Sequence, residues 1–363
     1  MRFSVPKDTL AAALQTVQNV VNPRVTLPIL MNVKIEAHEN KVRLTTSDLD
    51  MSVSVVFEAD VERGGGTTIP AKRLFGITRE LISSDVRIDT DSRNVSTIKC
   101  GQATFKLNGL PEDEFPPLAN LAETRIFTIK QGTLREAIKK TSYAVSSDHS
   151  RYVLNGLFFS FRENRLSVVG TDGRRLAMTD IDLEFPKSDE CEFIMPFKCV
   201  SELSRLISDE GDVRLLVSDS NIGLEIGSIR LISKRVDGTY PNYKQVIPTE
   251  VRERVKIERQ PFIEALRRVS LLESDRNHSV KFTLTKNTMI ISSVATDIGE
   301  AREELTVDYK GRDMVISFNP DFVMDPLRAL PDEVINIDLV DEMSAAAIKV
   351  ESPFLYVMMP MRS

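Results

Sequence analysis

The sequence predicts an α+β protein built from three tandem copies of one two-helix, multi-strand domain, and three recurrences predict it. First, "DTLAAALQTV" (8–17), "GTLREAIKKT" (132–141) and "QPFIEALRRV" (260–269) each carry apolar residues at helical spacing: Leu10, Leu14 and Val17; Leu134 and Ile138; Phe262, Leu266 and Val269. Their starts lie 124 and 128 residues apart. Second, 35 to 38 residues downstream of Leu10, Leu134 and Phe262 come "TTSDLD", "GTDGRRLAM" and "ATDIGEA", aligned on Asp48, Asp172 and Asp297 and each preceded by a strand-like run. Third, a second helical pattern recurs as "IPAKRLFGITREL" (69–81), "MPFKCVSELSRLI" (195–207) and "FNPDFVMDPLRAL" (318–330). Pro326 should kink or split the last of these, because proline lacks the amide that a helix interior needs.

The strands are read from alternation and β-branched content in "NVKIEA", "VRLTT", "MSVSVVFEA", "LFFSF" and "LSVVG", with "RGGGTT" as a hairpin turn. The ends of the first two copies also match: "GLPEDEFPPL" and "RVDGTYPNYKQVIP" align Phe115-Pro116 with Tyr240-Pro241, whereas the third copy closes on "YVMMPMRS". The expected domains are therefore 1–124, 125–252 and 253–363. At 363 residues the chain has room for three cores, and a period this long marks whole domains rather than the ~20 to 45-residue units of a solenoid.

Composition is that of a folded globular protein, 42% apolar and 28% charged. No apolar run is long enough to span a membrane and no signal peptide is evident, so a cytoplasmic location is expected. Cys100, Cys191 and Cys199 lack metal-ligand spacing and are expected to be reduced. His38, His149 and His278 are scattered, and no HExxH, GxSxG or Walker-type stretch occurs, which leaves little footing for catalysis or a cofactor.

A net charge of −6 argues at first sight against nucleic acid, but its distribution does not. The six helical segments hold 11 basic and 7 acidic residues, a net +4, so the remainder of the chain is at −10. Lys139 and Lys140 align with Arg267 and Arg268 on the side of the helix away from its apolar stripe; Lys72, Arg73, Arg79, Arg135, Lys198 and Arg205 add to the set. On any single helix this is an ordinary solvated face. If all six shared one surface it would be a positive strip on an acidic body, suited to a phosphate backbone without base readout.

At "RVTLPIL", "RYVLNGL", "GTDGRRLAM", "DGTYPNYKQVIP" and "YVMMPMRS" the chain resembles the bacterial DNA polymerase III beta subunit, the sliding clamp, over its full length. The resemblance implies a non-catalytic processivity factor. Two subunits would join head to tail into a closed ring of six domains around duplex DNA, with helices inside and sheets outside, opened by a separate ATP-driven loader. It implies DNA-facing roles for Arg24, Lys198, Arg73, Arg79 and Arg205, while Lys72, Arg135, Lys139, Lys140, Arg267 and Arg268 rest on charge alone. It implies a ring interface through Phe105, Leu107, Leu271 and Leu272.

The resemblance further implies a pocket between the second and third domains for short Leu/Phe peptides of the polymerase III alpha subunit, the loader, other polymerases and repair proteins. Its matching positions are Leu154, Thr171, Gly173, Arg174, Arg175, Leu176, Pro241, Gln245, Val246, Asn319, Phe322, Val357, Met359, Pro360, Met361 and Arg362. Three depart from the family pattern: Arg174 stands where His is frequent, Gln245 where Arg is, and Phe322 where Tyr is. Two other readings remain from the residues themselves: an enzyme holding a phosphorylated ligand on "GTDGRRLA" with Asp172 as base, and a three-domain scaffold with no role on DNA.

Overall fold

The computed structural model describes residues 1–21, 27–82, 84–119, 121, 124–272, 278–295 and 298–361. Its six α-helices among the described residues fall on the six predicted segments: α1 (Lys7–Val17), α2 (Ala71–Glu80), α3 (Gln131–Thr141), α4 (Phe197–Leu206), α5 (Arg259–Val269) and α6 (Pro320–Ala329). Each buries the apolar stripe that predicted it; Leu10, Leu14 and Val17 of α1 and Phe262, Leu266 and Val269 of α5 are 2% exposed or less. The first helix of each copy ends in a 3₁₀ turn, at Gln18–Val20, Ser142–Ala144 and Ser270–Leu272, which tightens the last turn where carbonyls lose their partners.

Pro326 does not split α6, contrary to expectation. A proline at this position strands the carbonyl four residues earlier, that of Phe322. The Tyr356 hydroxyl donates to that carbonyl at 2.7 Å, replacing the missing amide. A second correction concerns "RGGGTT", which is a crossing between two sheets and not a hairpin. Asp60–Arg63 lies in one sheet and Gly65–Pro70 in another. Gly65 has φ +132, a backbone conformation that favours glycine, and a Cβ on Gly66 would fall 1.7 Å from the Glu112 carboxylate, which would have to move aside.

Contacts divide the chain into two compact units that cut through the second copy: Met1–Gly132 with Ser201–Arg235, and Thr133–Val200 with Val236–Ser363. In the first unit a five-stranded antiparallel sheet runs Asp60–Arg63, Arg2–Pro6, Asp85–Thr90, Val95–Cys100, Ala103–Asn108. An eight-stranded sheet runs Arg125–Lys130, Asp212–Val217, Asn221–Ile226, Ile229–Lys234, Met51–Glu58, Lys41–Ser47, Asn32–His38, Gly65–Pro70. The junction of the first and second copies is therefore a strand pair, with Met51 opposite Ser233 and Val55 opposite Ile229. Helices α1 and α2 pack together on this unit's strands.

The second unit repeats the device. Its eight-stranded sheet runs Cys191–Pro196, Gly156–Arg162, Arg165–Thr171, Arg175–Asp182, Phe354–Met358, Ala346–Lys349, Val334–Leu339, Glu253–Glu258. Here Arg175 faces Met358 and Thr179 faces Phe354. A four-stranded sheet runs Gly299–Thr306, Thr288–Ala295, Val280–Thr285, Met314–Phe318, and α5 packs with α6. The apolar stretch "FLYV" is thus interior to a sheet, paired on both sides. Cys100, Cys191 and Cys199 are not joined in disulfides, and no helix among the described residues is long and apolar enough to cross a membrane.

Candidate functional site

The aspartate that marks each copy builds a turn. Asp172 Oδ1 accepts the amides of Arg174 and Arg175 at 2.9 and 3.0 Å, and Thr171 Oγ1 accepts that of Gly173 at 3.1 Å. Gly173 sits at φ +85, which glycine adopts without cost. The remaining Asp172 oxygen accepts from Arg175 Nε at 3.1 Å. This carboxylate is committed to holding two strands together, as Asp48 does in the first copy, so the reading of Asp172 as a catalytic base loses its residue.

Beyond the turn lies a cluster of apolar side chains. Leu154, Leu176 and Val357 are buried together with Phe158, Val169, Ile194, Tyr240 and Ala347. The Phe158 and Tyr240 rings stack at 4.7 Å. Burial pushes the Tyr240 phenol well above its ordinary pKa, and its hydroxyl has no well-formed hydrogen bond. Around this floor Pro241, Gln245, Val246 and Met359 are exposed, Pro360 and Met361 half-buried, and Thr171 buried. Val246 is 52% and Met359 47% exposed, high for apolar side chains.

The segment bearing the methionines is pinned at alternate residues: Met359 N donates to Arg174 O at 3.0 Å and Met361 N to Ser317 O at 2.8 Å. Arg362 and the DNA-facing candidate Arg24 lie outside the described residues, as does Asp297. Asn319 caps α6 through its Oδ1, which accepts the amides of Asp321 and Phe322 at 2.9 and 3.4 Å.

Arg175 belongs to the support of this surface. Its guanidinium donates to Asp325 at 2.6 Å and to Tyr143 O at 2.7 Å, and lies 4.4 Å from the Phe322 ring centroid. Burial alone would lower its pKa; Tyr356 and the carboxylates of Asp325 and Asp172 outweigh that and raise it, so the group stays charged. An open cavity of about 390 Å³ adjoins it, lined by Val145, Asp148, Arg151, Arg174 and Phe322 among others. The sequence reading missed Phe158, Tyr240 and Ala347 of the floor and Asp325 of the support. Tyr240 was within reach, since its alignment with the apolar Phe115 already marked a buried ring.

Of the basic candidates, Lys72, Arg73, Arg79, Arg135, Lys139, Lys198, Arg205, Arg267 and Arg268 are exposed. Lys140 is not: it is 8% exposed, with Nζ 3.5 Å from Glu136, so its expected DNA-facing role is corrected. Others share their charge: Arg205 with Glu202, while also donating to Thr16 O, Arg268 with Glu303, and Arg79 with Glu80 at 3.7 Å. Phe105 and Leu107 alternate along Ala103–Asn108, an edge strand, and Leu271 is 78% exposed while Leu272 is half-buried. Beside Phe105 opens a groove of about 620 Å³ lined by Ile77, Leu81, Ile82 and Cys100, with Lys72 and Arg73 also on its wall.

Comparisons with known proteins agree along the whole chain. Three family models match in tandem: the DNA polymerase III beta subunit N-terminal domain over residues 1–119, the central domain over 128–242 and the C-terminal domain over 244–362. The beta sliding clamp of Pseudomonas aeruginosa is 33% identical over 368 residues, covering 100% of both chains. That of Chlamydia muridarum is 32% identical over 362 residues, covering 100% of this chain and 99% of the relative. Among solved structures, a sliding clamp of Pseudomonas aeruginosa bound to griselimycin superposes with a TM-score of 0.97 at 31% identity, covering 100% of both chains. The Bacillus subtilis sliding clamp gives a TM-score of 0.97 at 27% identity, covering 100% of this chain and 99% of the other.

Proposed function

The chain belongs to the DNA polymerase III beta subunit family, and from that premise we propose that it is a cytoplasmic, non-catalytic DNA sliding clamp whose two subunits close head to tail around duplex DNA. The observation that carries this is two edge strands whose repeat-equivalents are paired at the internal junctions. Within the chain, Met51 pairs with Ser233 at the first junction and Arg175 with Met358 at the second. The repeat-equivalent strands, Gly299–Thr306 of the third copy and Ala103–Asn108 of the first, are edge strands. Exposed edges invite pairing, and each edge has the complement of the other.

Carrying the internal register over sets Gly299 opposite Leu107, Glu300 opposite Lys106 and Ala301 opposite Phe105. Opposite charges then meet on one face, while the Phe105 ring lies against a small side chain on the other. The apolar knob of Leu271 and Leu272 supplies further contact near Phe105. The domain borders follow as 1–124, 125–252 and 253–363, each junction closed by a strand pair.

Inside such a ring the exposed basic residues of the helices, with Arg24, would meet phosphates through loose, sequence-independent contacts, and the retention would come from topology rather than from tight affinity. The partner pocket is the apolar floor of Leu154, Leu176 and Val357 with the rim of Pro241, Val246 and Met359. A Leu/Phe peptide of the polymerase or of the clamp loader fits this chemistry: its apolar anchors would cover the exposed rim, and tethering makes modest affinity sufficient. The register is tested by charge reversal: Lys106→Glu or Glu300→Lys alone should shift the dimer toward monomer in light-scattering mass measurements. The two together should restore it; failure of the double variant to recover would refute this pairing.

A further inference from the structure

The second junction carries an open apolar cleft, and the first junction is built on the same strand pairing. The backbone correspondence is close. Asp48 caps its turn as Asp172 does, with Oδ1 accepting the amides of Asp50 and Met51 at 3.1 and 2.8 Å. Lys234 N donates to Asp50 O at 2.8 Å, as Met359 N does to Arg174 O at 3.0 Å. The registers make Ser52 the counterpart of Leu176, Ile232 that of Val357, and Gly223, which faces Ile232, that of Ala347, which faces Val357. Phe115-Pro116 stands for Tyr240-Pro241, and counting onward sets Leu121 in the place of Val246.

The difference lies in what fills the cleft. At the second junction the floor carries the Ala347 methyl, and Val246 projects with 52% exposure. At the first, the floor is Gly223, and an added Cβ would fall 2.3 Å from Leu121 Cδ1. Leu121 therefore occupies the space that a floor methyl would take. What remains is a cavity of about 70 Å³, lined by Ser47, Met51, Ile232 and the linker residues Pro116, Pro117 and Leu118. Across it Lys234 pairs with Asp50 at 2.9 Å, where the second junction has Met359 and Arg174.

We propose that the first junction is a self-occupied copy of the peptide cleft: the chain's own linker lies in it with Leu121 as the anchor on Gly223, so each subunit offers external peptides one site and not two. The proposal rests on reading the second junction as a peptide cleft. The leucine at the first junction plays the part that a partner's leucine plays at the second. Its occupancy is intramolecular, so it is favoured by effective concentration over any free peptide.

The test uses the full chain and needs neither DNA nor a partner protein. A peptide copying residues 115–121 (FPPLANL), with a photoreactive leucine at its last position, is added to the native chain and to a Leu121→Ser variant, and labelled positions are mapped by mass spectrometry. Labelling of strand Asn221–Ile226 is expected to rise about tenfold or more in the variant over the native chain. Equal labelling of that strand in both, or labelling in neither, overturns the proposal. In parallel, chymotryptic cutting after Leu118 and Leu121 is followed in the native chain and in Gly223→Ala, whose new methyl would crowd the leucine in its seat. Cutting about tenfold faster in a variant that retains its native melting transition supports the seat, and an unchanged rate overturns it. Loss of external peptide binding at the second junction would instead refute the reading of that cleft, and leaves both results untouched.

Discussion

The two internal junctions share a backbone and differ in a handful of side chains. Each is an antiparallel strand pair closed by an aspartate-capped turn. Yet Gly173 at φ +85 is matched by Leu49 at φ +79, buried Leu176 by Ser52, charged Arg175 by Met51, and Ala347 by Gly223. The first junction is closed by the chain's own leucine, whereas the second has an exposed apolar rim over a buried floor. The repeat thus supplies the cleft wherever two copies join, and side-chain volume decides whether it is a closed seam or an open cleft. Shape at this scale is set by single methyl groups, because interiors are packed without spare room.

Exchanging residues between the junctions tests that lesson. The largest effect is expected from Arg175→Met, which imports the first junction's residue and leaves Asp325 and Asp172 without their guanidinium. Breaking such a nearly buried pair should cost about 3 to 5 kcal/mol in urea unfolding, and the fluorescence of a labelled partner peptide should report a disturbed surface beside Phe322. Next, Leu176→Ala removes the floor of the open cleft at a cost of about 2 to 3 kcal/mol. It should weaken Leu/Phe peptides about tenfold by calorimetry, while the equivalent Ser52→Ala leaves their affinity unchanged.

Tyr356→Phe should cost about 1 to 2 kcal/mol, since it orphans the Phe322 carbonyl that Pro326 already deprives of an amide. Adding Pro326→Ala should recover part of that loss, because alanine restores the missing donor. The smallest effect is expected from Tyr240→Phe, which copies Phe115: deleting a buried hydroxyl without a well-formed partner should change stability at pH 7 by no more than about 0.5 kcal/mol. Its signature is in alkali. The Tyr240 pKa is raised by burial, so its neutral form stabilises the fold fully below the ordinary tyrosine value near 10, and that contribution is lost as pH rises toward the folded value. The Phe variant should therefore show a flatter decline above about pH 10 in thermal melts.

The same contrast shows what a sequence discloses. The six helices were legible because each copies an apolar stripe with a 3.6-residue period, and the strands because they alternate. The turn at Asp172 was legible as a turn from "TDG", though its carboxylate could be mistaken for a base until its two amide partners were seen. Strand pairing across copies was hidden, since Met51 meets Ser233 only through contacts far apart in the chain. For that reason the compact units cut across the repeats. Lys140 looked like its neighbour Lys139, and only the packing around α3 distinguishes the buried side chain from the exposed one. Pro326 was read correctly as a defect; its remedy, a hydroxyl on a strand 30 residues later, has no local signal.

The claim on which the rest depends is retention by topology. The protein would be assembled by a clamp loader on a nicked circular duplex, washed at high salt, and half of the sample cut once with a restriction enzyme. The account predicts that protein stays on the intact circle and leaves the linear molecule, with loss again blocked when the ends are capped by bulky protein. Equal dissociation from circle and linear duplex would contradict it.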